Sequence, residues 1–328
     1  MTTIRLSNDL RPLGKSEILV SPIAWGMWRL AGEVAPVHAM IEAALVAGIN
    51  FFDTADIYGC DMPAGFGSAE ALFGQALAED RNLRAKMVIA TKAGIRPGIP
   101  YNSSATYLDG ALEASLRRLG VEQVDLYQIH RRDFLTHPHE VAETLTRMVE
   151  AGKIRSIGVS NYSVDEFDAL QAFLGQPIVS TQPEFSPLRT APLFDGTLDH
   201  AMRLDVAVMA WSPLGGGRLA QGDHPAAKLL AEHGARYDVD AATATLAWIM
   251  AHPARIIPIV GSQNPARIAA SADAYEVEWT RAECRLWSRS PFSHAMTGPR
   301  PARARTAPPP SRTRRARRSH RCRRCRRS

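Results

Sequence analysis

Four acid–base side chains follow short apolar runs of the sequence, and together they could transfer a proton. Asp53 and Tyr58 lie in FFDTADIYG at residues 51–59, Lys92 follows VIAT, and His130 follows LYQI. A buried carboxylate is costly without a partner, so Asp53 requires a nearby cation, which Lys92 can supply. An ammonium group beside Tyr58 favours the phenolate. The sequence therefore predicts that the pKa of Tyr58 lies below the ordinary phenol value of about 10, so that the phenol can donate its proton at neutral pH.

Each of the four residues also has a purely structural explanation. Lys92 could extend its ammonium group to the surface, His130 could be a hydrogen-bonded core histidine, and Tyr58 could pack its ring. A common location for all four would favour the chemical interpretation, in which His130 orients a carbonyl substrate or assists proton transfer. Because no obvious nucleophile, metal-ligand set or phosphate loop is present, the pattern predicts a general-acid site without a metal.

Alternating strand and helix patterns must position these residues. Eight β-rich segments are candidate strands, at residues 20–28, 49–55, 86–92, 124–130, 155–161, 178–185, 206–212 and 255–262. Helical patterns lie at residues 37–48, 68–79, 103–120, 138–152, 164–174 and 241–252. Eight alternations fit a closed (β/α)₈ TIM barrel better than a doubly wound sheet, which usually has fewer strands and a glycine-rich first turn. In such a barrel the active site lies at the C-terminal ends of the strands, where the four residues fall.

One barrel domain is predicted over residues 1–288. Its first part, residues 4–19, is predicted to form a short hairpin that closes the barrel floor. GFGSAE, which begins at Gly65, follows an irregular loop and is interpreted as a loop and helix cap instead of a dinucleotide-binding turn.

The composition is typical of a globular protein, with 45% hydrophobic residues. The apolar runs are shorter than the roughly 20 residues that a membrane-spanning helix needs. The N-terminus has no secretory signal pattern, and four cysteines are too few for a disulfide framework in a chain of this length. These features predict a cytoplasmic protein with reduced thiols.

From about residue 21 to residue 288, the chain resembles the aldo-keto reductases, specifically the bacterial type with a short C-terminal loop. The family's catalytic Asp, Tyr, Lys and His match Asp53, Tyr58, Lys92 and His130 in order, strand position and local sequence. The resemblance implies reduction of an aldehyde or ketone to an alcohol, with a hydride from a nicotinamide cofactor and a proton from Tyr58.

The resemblance extends to segments that bind the cofactor. GVSNY and TQPEF imply that Ser160, Asn161 and Gln182 contact the carboxamide. AWSPLGGGRL implies that Trp211 stacks on the nicotinamide, and that the pyrophosphate is lined by Ser212, Leu214 and Gly216. GSQNPARI implies that the adenosine phosphate is bound by Gly261, Ser262 and Arg267. In isolation, Ser160, Asn161 and Gln182 could instead be turn residues and Trp211 a core residue.

The phosphate-binding segment departs from the family pattern at two positions. Many relatives have a lysine where this chain has Gly261, and an asparagine where it has Ser271. Arg267 remains to bind a 2′-phosphate through paired hydrogen bonds, so NADP(H) is the expected cofactor, with NAD(H) as the alternative.

The C-terminal segment 289–328 has a different composition. Its fourteen arginines, with no acid or lysine, change the net charge from −8 for the preceding residues to +6 for the chain. So little apolar surface predicts disorder. The segment could be a basic arm for nucleic acid, or the product of a frameshift, which we favour. CRRC with His320 lacks a second ligand pair for zinc, so no metal site is predicted.

Some questions of function stay open at this level. Channel β subunits share the family's barrel and catalytic residues, so a cofactor-bound regulatory subunit with little turnover is the alternative to a reductase. The small-molecule carbonyl substrate is not identified by the loop sequences, although Trp28 and Phe134 could line an apolar pocket or belong to the core. The oligomeric state is not predicted.

Overall fold

A computed structural model describes residues 3–222 and 224–288 of the chain and, for residues 286–288, the backbone alone. The predicted arginine-rich tail at residues 289–328 lies outside these residues, so the domain boundary at residue 288 stays a prediction. In the described part, no helix is long and apolar enough to cross a membrane.

The predicted barrel is confirmed. Eight parallel strands close into a cylinder in which each strand pairs with the strands before and after it along the chain. They are β1 (Ala24–Gly26), β2 (Phe51–Asp53), β3 (Val88–Ala93), β4 (Val124–Ile129), β5 (Ile154–Ser160), β6 (Ile178–Gln182), β7 (Ala207–Ala210) and β8 (Ile257–Val260). The eight strands correspond to the eight predicted segments.

Helices follow the strands on the outside. The α-helices of the described residues are α1 (Val34–Val46), α2 (Ser68–Glu79), α3 (Ala105–Leu119), α4 (Pro138–Glu150), α5 (Val164–Gln171), α6 (Thr197–Leu204), α7 (Pro225–Gly234), α8 (Ala241–Met250), α9 (Pro265–Ala270) and α10 (Arg281–Ser288). Short 3₁₀ helices lie at Arg84–Lys86, Ala191–Leu193, Ala235–Tyr237 and Ser271–Glu276.

The sequence predicted six of these helices, and α3 shows the signals at both ends. Helix α3 begins after Ser104, whose side chain accepts a hydrogen bond from the N–H of Tyr107, and it ends at Gly120, whose φ is 67°. Helices α6, α7 and α9 are absent from the sequence prediction. Helix α6 is only eight residues long, and its N-cap is Gly196, which has no side chain to accept a hydrogen bond. A short helix without a side-chain cap gives little signal in the sequence.

A hairpin closes the floor of the barrel, as predicted. Arg11–Pro12 pairs antiparallel with Leu19–Val20. The hairpin residues Leu13, Ile18 and Val20 are buried in one cluster with residues from the barrel strands. Two further antiparallel pairs join Thr3–Ile4 to Trp279–Thr280, and Ile95–Arg96 to Ile99–Tyr101.

The lower part of the barrel interior is apolar. The cluster shared with the floor hairpin includes Ala24, Phe51, Val88, Ala90, Leu126, Met209, Ile257 and Ile259. Because side chains alternate along a strand, residues two positions further on face the same side. Asp53 thus follows Phe51, Lys92 follows Ala90, and a polar layer lies above the apolar one, toward the C-terminal ends of the strands.

Candidate active site

The catalytic candidates end three neighbouring strands. Asp53 is the last residue of β2 and Lys92 lies near the end of β3, whereas His130 directly follows β4. Backbone hydrogen bonds fix the loops that begin there. The N–H of Asp56 donates to the carbonyl of Lys92 at 2.9 Å, and the N–H of His130 donates to the carbonyl of Ala93 at 2.8 Å. The sequence prediction that these residues share one end of the barrel is therefore confirmed.

A buried ion pair lies at the centre of the site. Lys92 Nζ is 2.6 Å from Asp53 Oδ2, with 0% and 2% of the two side chains exposed. The ammonium also donates to the carbonyl of Thr54 at 2.8 Å. Burial by itself lowers the pKa of Lys92, but Asp53 and Tyr58 more than offset it, and the net pKa is raised. Lys92 is therefore the charged partner that Asp53 requires.

Two glutamine side chains bind the other carboxylate oxygen. Asp53 Oδ1 accepts from Gln128 Nε2 at 3.2 Å and from Gln182 Nε2 at 3.1 Å. Gln182 Nε2 is also 3.2 Å from Gln128 Oε1. The amide nitrogen of Gln182 thus faces the ion pair. The sequence analysis missed Gln128, although a polar residue two positions before His130 in an otherwise apolar strand was a usable signal.

Tyr58 lies against the ion pair. It is 8% exposed, and Lys92 Nζ is 5.0 Å from its ring centroid. Burial raises the pKa of Tyr58 above its ordinary value, and Lys92 offsets only part of this effect. The sequence prediction of a lowered pKa is therefore wrong in its net direction, because it considered the cation and not the burial. Tyr58 keeps its proton at neutral pH, so it can act as an acid toward an oxygen that is gaining negative charge.

His130 is a neutral imidazole beside Tyr58. The ring centroids of the two residues are 6.0 Å apart. Burial lowers the pKa of His130 well below its ordinary value, and the positive charges of Lys92 and Arg131 lower it further. Its Nδ1 is buried and has no hydrogen-bond partner among the described residues. A neutral imidazole carries one N–H donor, so His130 can orient a substrate oxygen without competing as the acid.

The residues predicted to contact a carboxamide lie together at the ends of β5, β6 and β7. Ser160 Oγ donates to the carbonyl of Gln182 at 2.9 Å. Asn161 Nδ2 donates to the carbonyl of His130 at 3.2 Å, and Asn161 Oδ1 accepts from Trp211 Nε1 at 3.0 Å. These contacts connect the predicted nicotinamide-binding residues to the loop that carries His130.

The loop after β7 has an open backbone. Gly215, Gly216 and Gly217 have φ values of 58°, 73° and 94°. These values lie in the left-handed region, which residues with a Cβ atom rarely adopt. A Cβ atom on Gly216 would meet no atom within 4 Å. Ser212 also has a positive φ, of 51°, and its carbonyl accepts from the N–H of Gly215 at 2.8 Å. This loop therefore leaves room for a ligand to approach the backbone closely, as a cofactor phosphate would require.

The segment after β8 carries the remaining predicted residues. The carbonyl of Ser262 accepts from Trp25 Nε1 at 3.0 Å, and Ser262 Oγ accepts from the N–H of Asn264 at 3.2 Å. Gly261 is exposed, as is Arg267 on α9. Within the described part of the chain, no hydrogen bond joins this segment to the four catalytic candidates, and Arg267 forms no ion pair.

Asp56 is a buried acid that the sequence analysis also missed. It is completely buried, and its Oδ2 lies 3.3 Å from the hydroxyl of Tyr107. Its Oδ1 has no hydrogen-bond partner in the described residues. Burial, followed by the charge of Glu70, raises the pKa of Asp56 well above its ordinary value. The second aspartate of DTADIYG was the available signal.

The two aromatic candidates for the substrate pocket are not core residues. Trp28 is 47% exposed, and its ring stands edge-on to Tyr58 with a centroid distance of 5.1 Å. Phe134 is 75% exposed in the loop between β4 and α4. Trp28 therefore lies directly beside the proposed acid, at the surface of the site.

The sequence of this chain is similar to those of known reductases. Residues 22–289 match the Aldo/keto reductase family. A 6-dehydroglucose reductase from Novosphingobium aromaticivorans is 51% identical over 288 residues, which cover 86% of this chain and 95% of the relative. A 6-dehydroglucose reductase from Agrobacterium fabrum is 37% identical over 276 residues, covering 80% and 91%.

Solved structures give the same architecture. A glycerol dehydrogenase from Gluconobacter oxydans has a TM-score of 0.73 and 26% identity, over 85% of this chain and 94% of that chain. A thermostable aldo-keto reductase solved with the inhibitor epalrestat has a TM-score of 0.74 and 24% identity, over 85% and 98%. The second likeness, at its low identity, shows the fold alone.

Proposed function

The chain belongs to the aldo/keto reductase family, and from that premise we propose that it reduces the aldehyde of 6-dehydroglucose with NADPH, using Tyr58 as the proton donor. The family and the reductase relatives identify the chain as an NAD(P)H-dependent oxidoreductase that reduces a carbonyl. The observation that carries the mechanism is the buried Lys92–Asp53 pair against Tyr58.

Tyr58 would give its proton to the carbonyl oxygen. A carbonyl oxygen is a weak base, but it becomes a strong one as an electron pair moves onto it during reduction. The raised pKa of Tyr58 keeps the phenol protonated until that charge develops. The Lys92 ammonium then stabilises the phenolate that is left, and a proton from solvent restores the phenol.

His130 would hold the carbonyl oxygen in place for this transfer. Its low pKa keeps the imidazole neutral, so it offers a hydrogen bond but does not compete with Tyr58 as the acid. Its position directly after β4, with the backbone N–H fixed on Ala93, limits where the ring can point. Proton donor and orienting group would therefore act on one oxygen from the loops after β2 and β4, the two strands that flank β3.

The ends of β5 to β8 fit a dinucleotide cofactor. When bound, the reduced nicotinamide would supply a hydride to the carbonyl carbon. Asn161 and Trp211 would hold the nicotinamide end, because their hydrogen bond fixes both side chains next to His130. The open glycine backbone after β7 would accommodate the phosphates, and Arg267 would bind a 2′-phosphate. Arg267 is the basis for preferring NADPH to NADH.

One residue beside the site, Arg131, suits the substrate that the relatives are named for. 6-Dehydroglucose denotes glucose with an aldehyde at C6, which is a polyol with a carbonyl at one end. Arg131 directly follows His130, and its guanidinium lies 5.9 Å from the ring centroid of Tyr101. It forms no ion pair with any described residue, whereas the neighbouring Arg132 pairs with Glu166 at 3.8 Å. The free N–H groups of Arg131 suit the hydroxyls of a sugar.

The proposed function is tested with wild-type enzyme, 6-dehydroglucose and either NADPH or NADH, by following the loss of nicotinamide absorbance. We expect turnover with both cofactors and a lower KM for NADPH. Arg267→Ala should weaken NADPH binding by about 1.5–3 kcal/mol, as for loss of a hydrogen bond to a charged group, and leave NADH nearly unchanged. Cofactor binding without turnover of any carbonyl would contradict the reductase and favour the regulatory role.

Tyr58→Phe tests the proton donor. Removing the hydroxyl should lower kcat for carbonyl reduction by roughly 10²–10⁴-fold, the range typical of a lost general acid, while cofactor affinity stays close to wild type. Phenylalanine keeps the ring against Trp28, so the fold should be retained, and circular dichroism checks this. An unchanged kcat in a folded variant would rule out Tyr58 as the donor.

Arg131→Gln tests recognition of the sugar. The variant should raise the KM for 6-dehydroglucose about tenfold or more, since a hydrogen bond to a charged donor is lost. The KM for propanal, which has no hydroxyls, should not change. Arg132→Gln removes the same charge one residue away and is the matched control, expected to behave as wild type. An equal rise in KM for both aldehydes would show that Arg131 supports the site without reading the sugar.

A further inference from the structure

A buried acid, Asp56, precedes Tyr58 by two residues in the loop after β2 and takes no part in the proposed proton transfer. The side chain is completely buried, and its Oδ2 lies 3.3 Å from the hydroxyl of Tyr107 on α3. Its Oδ1 is buried and has no hydrogen-bond partner among the described residues, and the carboxyl forms no ion pair with any of them. An ionised carboxylate would be poorly stabilised in these surroundings.

The charged groups around Asp56 are already paired with one another. On its outer side, Glu70 of α2 is completely buried and accepts from Arg118 Nε of α3 at 2.8 Å. Inside the barrel, Lys92 pairs with Asp53. Burial and then the charge of Glu70 raise the pKa of Asp56, and Arg118 offsets only part of the rise. The other titratable side chains whose pKa depends on the charge of Asp56 are Tyr58, Cys60, Tyr107 and Tyr127.

The hydroxyl of Tyr107 has two acceptors within reach but only one proton. Its oxygen lies 3.3 Å from Asp56 Oδ2 and 3.5 Å from the carbonyl oxygen of Ile95. An ionised carboxylate and a carbonyl can both only accept, so the phenol could satisfy only one of them. A protonated carboxyl can instead donate to the phenol oxygen, and the phenol then donates to Ile95. The protonated form of Asp56 therefore satisfies every contact in this chain.

This hydrogen-bond chain joins two loops of the active site. Ile95 follows β3, the strand that carries Lys92, whereas Asp56 belongs to the loop that carries Tyr58. The N–H of Asp56 also donates to the carbonyl of Lys92 at 2.9 Å. The backbone of Asp56 is thus fixed to β3 and its side chain to α3. These two contacts restrict the loop two residues before Tyr58, where a small displacement would move the phenol away from Lys92.

We propose that Asp56 is a positioning residue for Tyr58, and that it acts as a neutral carboxylic acid that ties the loop after β2 to β3 and α3. The inference rests on the proposed function, because the position of Tyr58 matters only if Tyr58 is the proton donor. A neutral carboxyl also suits that role. A negative charge on Asp56 would raise the pKa of Tyr58 further, and a phenol with a higher pKa gives up its proton less readily.

The experiment measures kcat and KM against pH for aldehyde reduction with NADPH, using 6-dehydroglucose and propanal. Asp56→Asn is neutral and can still donate to Tyr107, so its kcat and pH profile should stay close to wild type. Asp56→Ala loses the contact, and a displaced Tyr58 should lower kcat by roughly tenfold to a hundredfold. The Kd for NADPH, from fluorescence quenching, should not change. Tyr107→Phe breaks the same chain from α3 and should lower kcat in the same way, which keeps the test valid if Asp56→Ala does not fold.

Asp109→Ala is the matched control, since Asp109 is an exposed acid on α3, two residues after Tyr107. Its ion pair with Arg147 is exposed and contributes little to stability, so kcat and the Kd for NADPH should match wild type. The protonation state has a readout that does not depend on activity. The infrared difference spectrum between wild type and Asp56→Asn at neutral pH should contain the carbonyl band of a protonated carboxylic acid.

Two results would overturn the positioning role: wild-type kcat in folded Asp56→Ala, or equal losses of kcat and NADPH affinity in that variant. Two others would overturn the neutral acid. One is the absence of the carboxylic acid band. The other is a kcat of Asp56→Asn that falls at lower pH than in wild type, because removing a negative charge would lower the pKa of Tyr58. If the wild type reduces neither aldehyde, the proposed function fails and the role of Asp56 fails with it.

Discussion

The arrangement of the site depends on one buried ion pair, in which the ammonium of Lys92 and the carboxylate of Asp53 lie 2.6 Å apart at the C-terminal end of the barrel strands. Removing one member of such a pair leaves an uncompensated buried charge, at a cost of about 3–5 kcal/mol. The surrounding polar groups reduce that cost, because Gln128 and Gln182 bind the second carboxylate oxygen and the carbonyl of Thr54 accepts from Lys92. The ion pair is therefore tolerated in an apolar interior only as part of a complete hydrogen-bond network.

The barrel provides that network through strand register. Asp53 lies opposite Ala90, and Lys92 lies opposite Gln128, so that polar residues from neighbouring strands meet above the apolar layer. The proposed mechanism gives Tyr58 and His130 distinct roles. Burial raises the pKa of Tyr58 and lowers the pKa of His130, so that both are neutral at physiological pH, as the proposed proton donor and orienting group require.

The sequence was sufficient to predict the barrel, because eight strand patterns alternate with helices. It was also sufficient to predict the pairing of Asp53 with Lys92, because a buried acid requires a cation. It did not predict the net pKa of Tyr58, which depends on how completely Trp28 and the neighbouring loops remove it from water. It also did not predict the contacts between Gln128 and Asp53, since such contacts depend on strand register. The roles assigned to the cofactor-binding residues stay predictions.

The central claim is that Asp53 and Lys92 act as one unit in positioning and polarising Tyr58. A double-mutant cycle measures this directly, by comparing kcat/KM for carbonyl reduction in Asp53→Asn, Lys92→Met and the double variant, with circular dichroism to verify folding. If the pair is one unit, either single change removes its effect, and the double variant should be no slower than the slower single variant. Losses that multiply in the double variant would show that the two residues act independently, and would contradict the account.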